Sequence, residues 1–406
     1  MTMRATTLEL ERVARTAYGR LLGRLARRTR DLQTAEDALG DALARALEVW
    51  PRDGVPNKPE AWLITVARNR ITDQARRGIT AREGETEVLL RQAERDAAAE
   101  DATSWPLPDP RLALLFACAD PSVPEPARSP LMLQTVLGLS AARIAPLFLV
   151  SAAALGQQLS RAKAALAKTG SGLTPPPLED WPGLLPPVLQ TIYGAFAAGL
   201  DARDEELAHE ATYLSELCHG VMPGSPEASG LHALCLYRLA RFGADLHEGE
   251  FIPLEEQNPE DWNTDLISRA ESVLRQAARK NQPGRYQLEA AIQSAHIHMC
   301  LSGEDKWQDV IGFYTTLSRV APSLGAVTGH AGALLKADRP TQSLNLLRTV
   351  EAEAKTYQPW WATYAAALAA TGQKEEAAAA YDQAADLCED TALVRFLEKR
   401  RQQLFS

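Results

Sequence analysis

Residues 31–77 read DLQTAEDALGDALARALEVWPRDGVPNKPEAWLITVARNRITDQARR, and the order of residue types there decides the fold. Ala35, Ala38, Leu39, Ala42, Leu43, Ala46 and Leu47 recur at the three-and-four spacing of one helix face. Thr34, with acids at Glu36 and Asp37, predicts the N-cap. Trp50-Pro51 predicts the end, because the residue before proline is pushed out of the α region. A Pro/Gly-rich loop, residues 51–60, leads into a second helix that opens near Trp62 and closes in arginines. Its inner stripe is Trp62, Leu63, Val66, Ala67 and Ile71. Upstream, Leu10, Val13, Ala17, Leu21 and Leu25 repeat at the same spacing, so the first block is all-α and ends near Gly78.

The chain has 406 residues, 46% apolar and 23% charged, a globular composition long enough for two or three domains. No apolar run is read as approaching the roughly 20 residues that span a bilayer. MTMRATTLELERVAR lacks a signal-peptide core, which predicts a cytoplasmic protein with no membrane partner. The net charge of −9 hides an asymmetry. Residues 1–80 hold 15 Lys and Arg against 10 Asp and Glu, whereas residues 171–406 hold 19 against 32. A basic front is the distribution expected of a part that meets nucleic acid. Five scattered cysteines form no CxxC, which predicts reduced core thiols. His296 and His298 stand two apart, on different helix faces, so no metal is predicted. No P-loop, GxGxxG, GxSxG or HExxH occurs, so neither cofactor nor enzymatic activity is predicted.

Punctuation divides the chain into a block at 1–80, a polar linker at 81–110, and a compact block at 111–168. A proline-rich stretch, TGSGLTPPPLEDWPGLLPP at 169–187, reads as a second linker because prolines interrupt helices. Residues 188–406 are helical pieces separated by turns. Within them WATYAAALAATGQKEEAAAAYDQAADLCED (361–390) resembles one tetratricopeptide unit, with Trp361, Ala365, Leu368, Gly372, Ala377, Tyr381 and Ala384 on its packing positions.

The WL…ARN…D…RR spacing of residues 62–77 resembles region 2 of an extracytoplasmic-function RNA polymerase sigma factor. That resemblance implies three tasks. Docking on core RNA polymerase falls to the acid-bearing face of the 34–48 helix, with Asp37, Asp41 and Arg45. Capture of a melted −10 strand needs cations, hydrogen-bond donors and stacking surfaces. These are Asn57 and Lys58 in the loop, and Trp62, Arg68, Asn69, Arg70, Asp73, Arg76 and Arg77 on the helix. Trp62 also reads as a core anchor.

Reading a −35 duplex falls to LMLQTVLGLSAARIAPLFLVSAAALGQQLSRAKAALAK (131–168), which resembles the helix-turn-helix of sigma region 4. Ser140 caps its first helix, Val150-Ser151 turns into the second, and Leu155, Leu159, Ala162 and Leu166 form the buried stripe. Ser151, Gln157, Gln158, Arg161, Lys163 and Lys168 are the predicted promoter-DNA contacts. The chain departs from the family pattern at Ala141 and Ala142, where acidic and polar residues are usual, and at Pro146, which shortens or kinks the first helix. EDWNTDL (260–266), GRYQLEAAIQSAHIHMC (284–300) and YQPWWATYAAALAATG (357–372) resemble the branch with a long tetratricopeptide-like extension. The fold expected is therefore all-α: a region 2 bundle, a region 4 helix-turn-helix, and a C-terminal helical array. The partners implied are core RNA polymerase and promoter DNA, and a protein or peptide ligand is one the array would accept. The function implied is promoter-specific initiation controlled by the array. Two alternatives stand beside it: a helix-turn-helix regulator independent of polymerase, and a degenerate sigma homologue serving as a protein-interaction adaptor.

Overall fold

A computed structural model of the protein describes residues 3–79, 107, 109–169 and 175–405. Among the described residues the fold is all-α apart from one two-stranded hairpin, and it divides into two compact units at Gly199/Leu200. The linker read at 81–110 lies outside the described residues except at 107, 109 and 110.

The first unit begins with α1 (Met3–Thr29), α2 (Leu32–Asp53) and α3 (Pro59–Ile79). Asp31, not Thr34, caps α2. Its carboxylate accepts from the N–H groups of Gln33 and Thr34, satisfying two donors that the first turn leaves open. Nor does Pro51 end the helix. It falls in the last turn, where its missing N–H removes a single bond, and Gly54 (φ +86) then closes α2 by donating to the Trp50 carbonyl at 3.0 Å. Trp50 is fully buried and meets Trp62 edge to face at 5.6 Å, which fixes the α2–α3 hairpin.

The unit continues through α4 (Pro110–Cys118), α5 (Glu125–Leu137), α6 (Ala141–Ile144), a 3-10 turn at Ala145–Phe148, and α7 (Ala152–Lys168). Asp109 caps α4 and forms a buried pair with Arg111 at 2.8 Å. Glycines weld this block to the first one. A Cβ on Gly19 would lie 2.1 Å from the Val136 carbonyl oxygen, and one on Gly23 would lie 2.9 Å from Pro110.

Residues 169–187 are not a linker throughout, because α8 (Trp181–Asp201) begins inside them. Pro182 sits in the first turn, whose N–H groups have no helical partner. Pro186 and Pro187 cost bonds only to the carbonyls of that same turn. Packing offsets the loss: Trp181 stacks on Phe116 at 3.8 Å, and its Nε1 donates to the Pro176 carbonyl at 2.9 Å. No charge occurs from Trp181 to Leu200, so this helix is long and apolar enough to cross a membrane, contrary to the sequence reading. Its Val188, Ile192, Ala195 and Phe196 are buried inside the unit.

The second unit holds α9 (Glu205–Val221), α10 (Pro226–Leu239), a hairpin of β1 (Leu246–His247) and β2 (Glu250–Phe251), α11 (Thr264–Ala278), and α12 (Arg285–Ser302). It continues with α13 (Trp307–Val320), α14 (Leu324–Lys336), α15 (Pro340–Arg348), α16 (Gln358–Ala370), α17 (Lys374–Asp386) and α18 (Thr391–Gln402). Ala365, Leu368, Ala377, Tyr381 and Ala384 are buried between neighbouring helices, and Gly372 (φ +83) makes the α16–α17 turn. Trp360, rather than Trp361, is the fully buried indole, and it donates to the Leu347 carbonyl at 3.1 Å. The irregular segment 243–262 ties distant helices together. Glu255 pairs with Lys336 of α14 at 3.2 Å, Phe251 meets Phe396 of α18 at 5.3 Å, and Glu256 reaches Arg400 at 3.3 Å.

Candidate functional site

The outer edge of α2 carries Asp37 and Asp41, both exposed. Asp37 accepts from Gln33 Nε2 at 2.9 Å. Asp41 pairs with Arg70 Nε of α3 at 2.5 Å, across the hairpin. Arg45, one turn from Asp41, pairs instead with Glu48 at 2.7 Å and is well exposed. The loop residues Asn57 and Lys58 are exposed just before α3. Along α3, Asn69 and Asp73 are exposed and Arg68 is half-buried, while Trp62 is half-buried against Trp50. Glu60 pins the start of α3 to Arg20 of α1 at 2.8 Å. The side chains of Arg76 and Arg77 lie outside the described residues.

In the helix-turn-helix, Ser140 caps α6 by accepting from the Arg143 N–H, and Ser151 caps α7 by accepting from that of Ala154. Pro146 confines α6 to one turn and is the second residue of the 3-10 segment. Leu155, Leu159, Ala162 and Leu166 are buried, and Gln157, Arg161 and Lys168 are exposed, with Gln158 half-buried. Leu149 holds the left-handed turn at φ +54 and is 95% exposed, flanked by exposed Phe148 and Val150.

Two predicted DNA contacts have carboxylate partners within the first unit. Arg70 is held by Asp41, and the Lys163 ammonium lies 2.5 Å from Glu36 of α2, with both side chains nearly buried. Lys163, neutralised by a nearly buried carboxylate, is not presented to phosphate in this arrangement, whereas the Arg70–Asp41 pair is half exposed and weakly held. Sequence reasoning missed Glu36. Its position beside Ala35 and Leu39, at the margin of the apolar stripe, was the available signal, because an acid there needs a partner. One Glu36 oxygen accepts from Lys163 and the other, Oε1, is buried without a donor. Burial pushes this carboxyl above the usual carboxylate range, and Lys163 opposes the shift. The neighbouring Tyr18 hydroxyl is likewise pushed upward, by burial first and by the Glu36 charge second. Tyr18, Glu36, Asp37, Asp41 and Gln134 surround a shallow cavity of about 380 Å³ on this face.

Residues 14–79, the α1–α3 bundle, match Sigma-70 region 2. Residues 185–278 match a family of unknown function (DUF6596). Over 388 residues the chain is 32% identical to "Uncharacterized protein R00370" of Rhizobium meliloti (strain 1021), covering 93% of this chain and 91% of the relative. No solved structure matches the chain.

Proposed function

We propose that this chain is an alternative sigma factor of the sigma-70 kind, a non-enzymatic subunit that joins core RNA polymerase in the cytoplasm and directs initiation at its own class of promoters. The observation that carries the proposal is the coincidence of the region 2 match, 14–79, with a three-helix bundle whose two exposed edges differ in chemistry. The α2 edge, with Asp37 and Asp41, offers acids to a basic protein surface. The adjoining loop and α3, with Asn57, Lys58, Arg68, Asn69 and Asp73, offer donors and charge to an unpaired strand. Gln157 and Arg161 on α7 are suited to base edges in a duplex major groove. In this reading the helical array of the second unit is the control element.

The edges are tested separately. Asp37→Ala in the full chain is expected to weaken retention on immobilised core polymerase. Arg68→Ala is expected to leave retention intact and reduce permanganate-reactive open complex. Equal retention of wild type and Asp37→Ala, with equal open complex in Arg68→Ala, would remove the assignment.

A further inference from the structure

A cavity of about 570 Å³ opens in the second unit between residues 200–203, the end of α10 with the segment after it, and the α17–α18 turn, a size suited to a small molecule. Its walls include Asp201, Arg203, Arg238, Arg241 and Gln257. Arg203 is fully occupied, with Asp245 at 3.1 Å and Asp390 at 3.6 Å. The other two arginines are not. Arg241, just past α10, donates from Nη2 to Gln293 and lies 5.8 Å from the Trp262 ring, yet its Nε is buried without an acceptor and no carboxylate pairs with it among the described residues. Arg238, in the last turn of α10, feels the charge of Asp201 but forms no ion pair with it. Burial, and then the neighbouring Arg238 charge, push the Arg241 guanidinium down to about 10.

Gln257 adds an independent observation. Only 8% exposed, it donates from Nε2 to the Ile252 carbonyl at 3.2 Å, while its Oε1 is buried with no donor. A buried cation without a counterion and a buried amide oxygen without a donor are both costly, and native structures rarely leave such groups unpaired. Two adjacent guanidiniums match the planar or tetrahedral face of an oxyanion, which each can bind through two N–H groups.

We propose that this cavity binds a small molecule carrying a carboxylate or phosphate, held by Arg238 and Arg241, and an N–H or O–H that donates to Gln257 Oε1. The site is a property of the second unit and does not depend on what region 2 binds. Thermal unfolding of the full chain, in buffers matched for ionic strength with chloride, tests it with three probes: L-glutamate, inorganic phosphate and adenosine monophosphate. At least one probe is expected to raise the midpoint temperature saturably. Glutamate alone assigns a carboxylate ligand; phosphate or the nucleotide assigns a phosphate ligand. Arg238→Gln is expected to weaken that probe at least tenfold while leaving the unliganded midpoint unchanged or higher, because repulsion with Arg241 is relieved. Gln257→Leu is expected to weaken whichever probe shifts the wild type. The proposal is overturned if no probe shifts the wild type, if Arg238→Gln binds as wild type does, or if that variant lowers the unliganded midpoint as loss of a structural cation would.

Discussion

Gly19 lies where α1 crosses α5, and alanine there would drive a methyl group into the Val136 carbonyl. Helix propensity alone would favour alanine by about 1 kcal/mol. The clash is with backbone, which no rotamer relieves, so Gly19→Ala is expected to lower stability by about 1–3 kcal/mol. Gly40, with nothing near its virtual Cβ, is the control: Gly40→Ala should gain about 1 kcal/mol. Urea midpoints of the two variants moving the same way would refute the crossing. At Leu149 the sign reverses again. A left-handed leucine costs about 1–2 kcal/mol and this one buries almost nothing, so Leu149→Gly should raise the urea midpoint; a fall would show that the turn needs its side chain. His232 makes the second unit sensitive to acid. It is buried against the Ser215 hydroxyl at 3.0 Å and beside His219, and burial pushes it down to about 3. The unfolded imidazole binds its proton near 6.5 and the folded one does not, so this contribution to stability is complete above pH 6.5 and lost as pH falls toward 3. The expected slope from this group is about 1.4 kcal/mol per pH unit in that window. Unfolding between pH 7 and 4 should be less pH-dependent in His232→Asn; an unchanged slope would assign it elsewhere.

Among the elements, α2 and α7 are joined by the nearly buried Glu36–Lys163 pair, unlike the exposed Arg45–Glu48 pair, which is worth under about 1 kcal/mol. Lys163→Ala leaves the Glu36 charge buried alone and is expected to cost about 3–5 kcal/mol, much of it recovered by adding Glu36→Gln. A double-mutant cycle showing no coupling would contradict the contact. The α7 stripe was legible from spacing alone, because a helix's buried face follows from local periodicity. Its tie to α2 was not, because the partners are 127 residues apart and only packing brings them together. The prolines misled for a related reason. Pro146 restricted α6 to a single turn as its position implied, whereas Pro51 fell in a last turn and Pro186 and Pro187 cost bonds only to first-turn carbonyls. Where a helix starts is decided by caps and tertiary contacts such as Trp181 on Phe116, which no window of sequence contains.

Over the whole molecule, the all-α class and the region 2 bundle could be read from periodicity and motif. The break between compact units at Gly199/Leu200 could not, because the proline-rich stretch that seemed to announce it lies partly within a packed helix. The charge division remains: the acidic excess of residues 171–406 sets that part apart from a basic N-terminal block suited to nucleic acid. The central claim, that this chain directs initiation, is met most directly by run-off transcription with the purified full chain, core RNA polymerase and the DNA upstream of its own gene and neighbours. The account predicts a discrete transcript that requires this protein and is reduced by Asp37→Ala. No protein-dependent start, together with no binding to core polymerase, would contradict it.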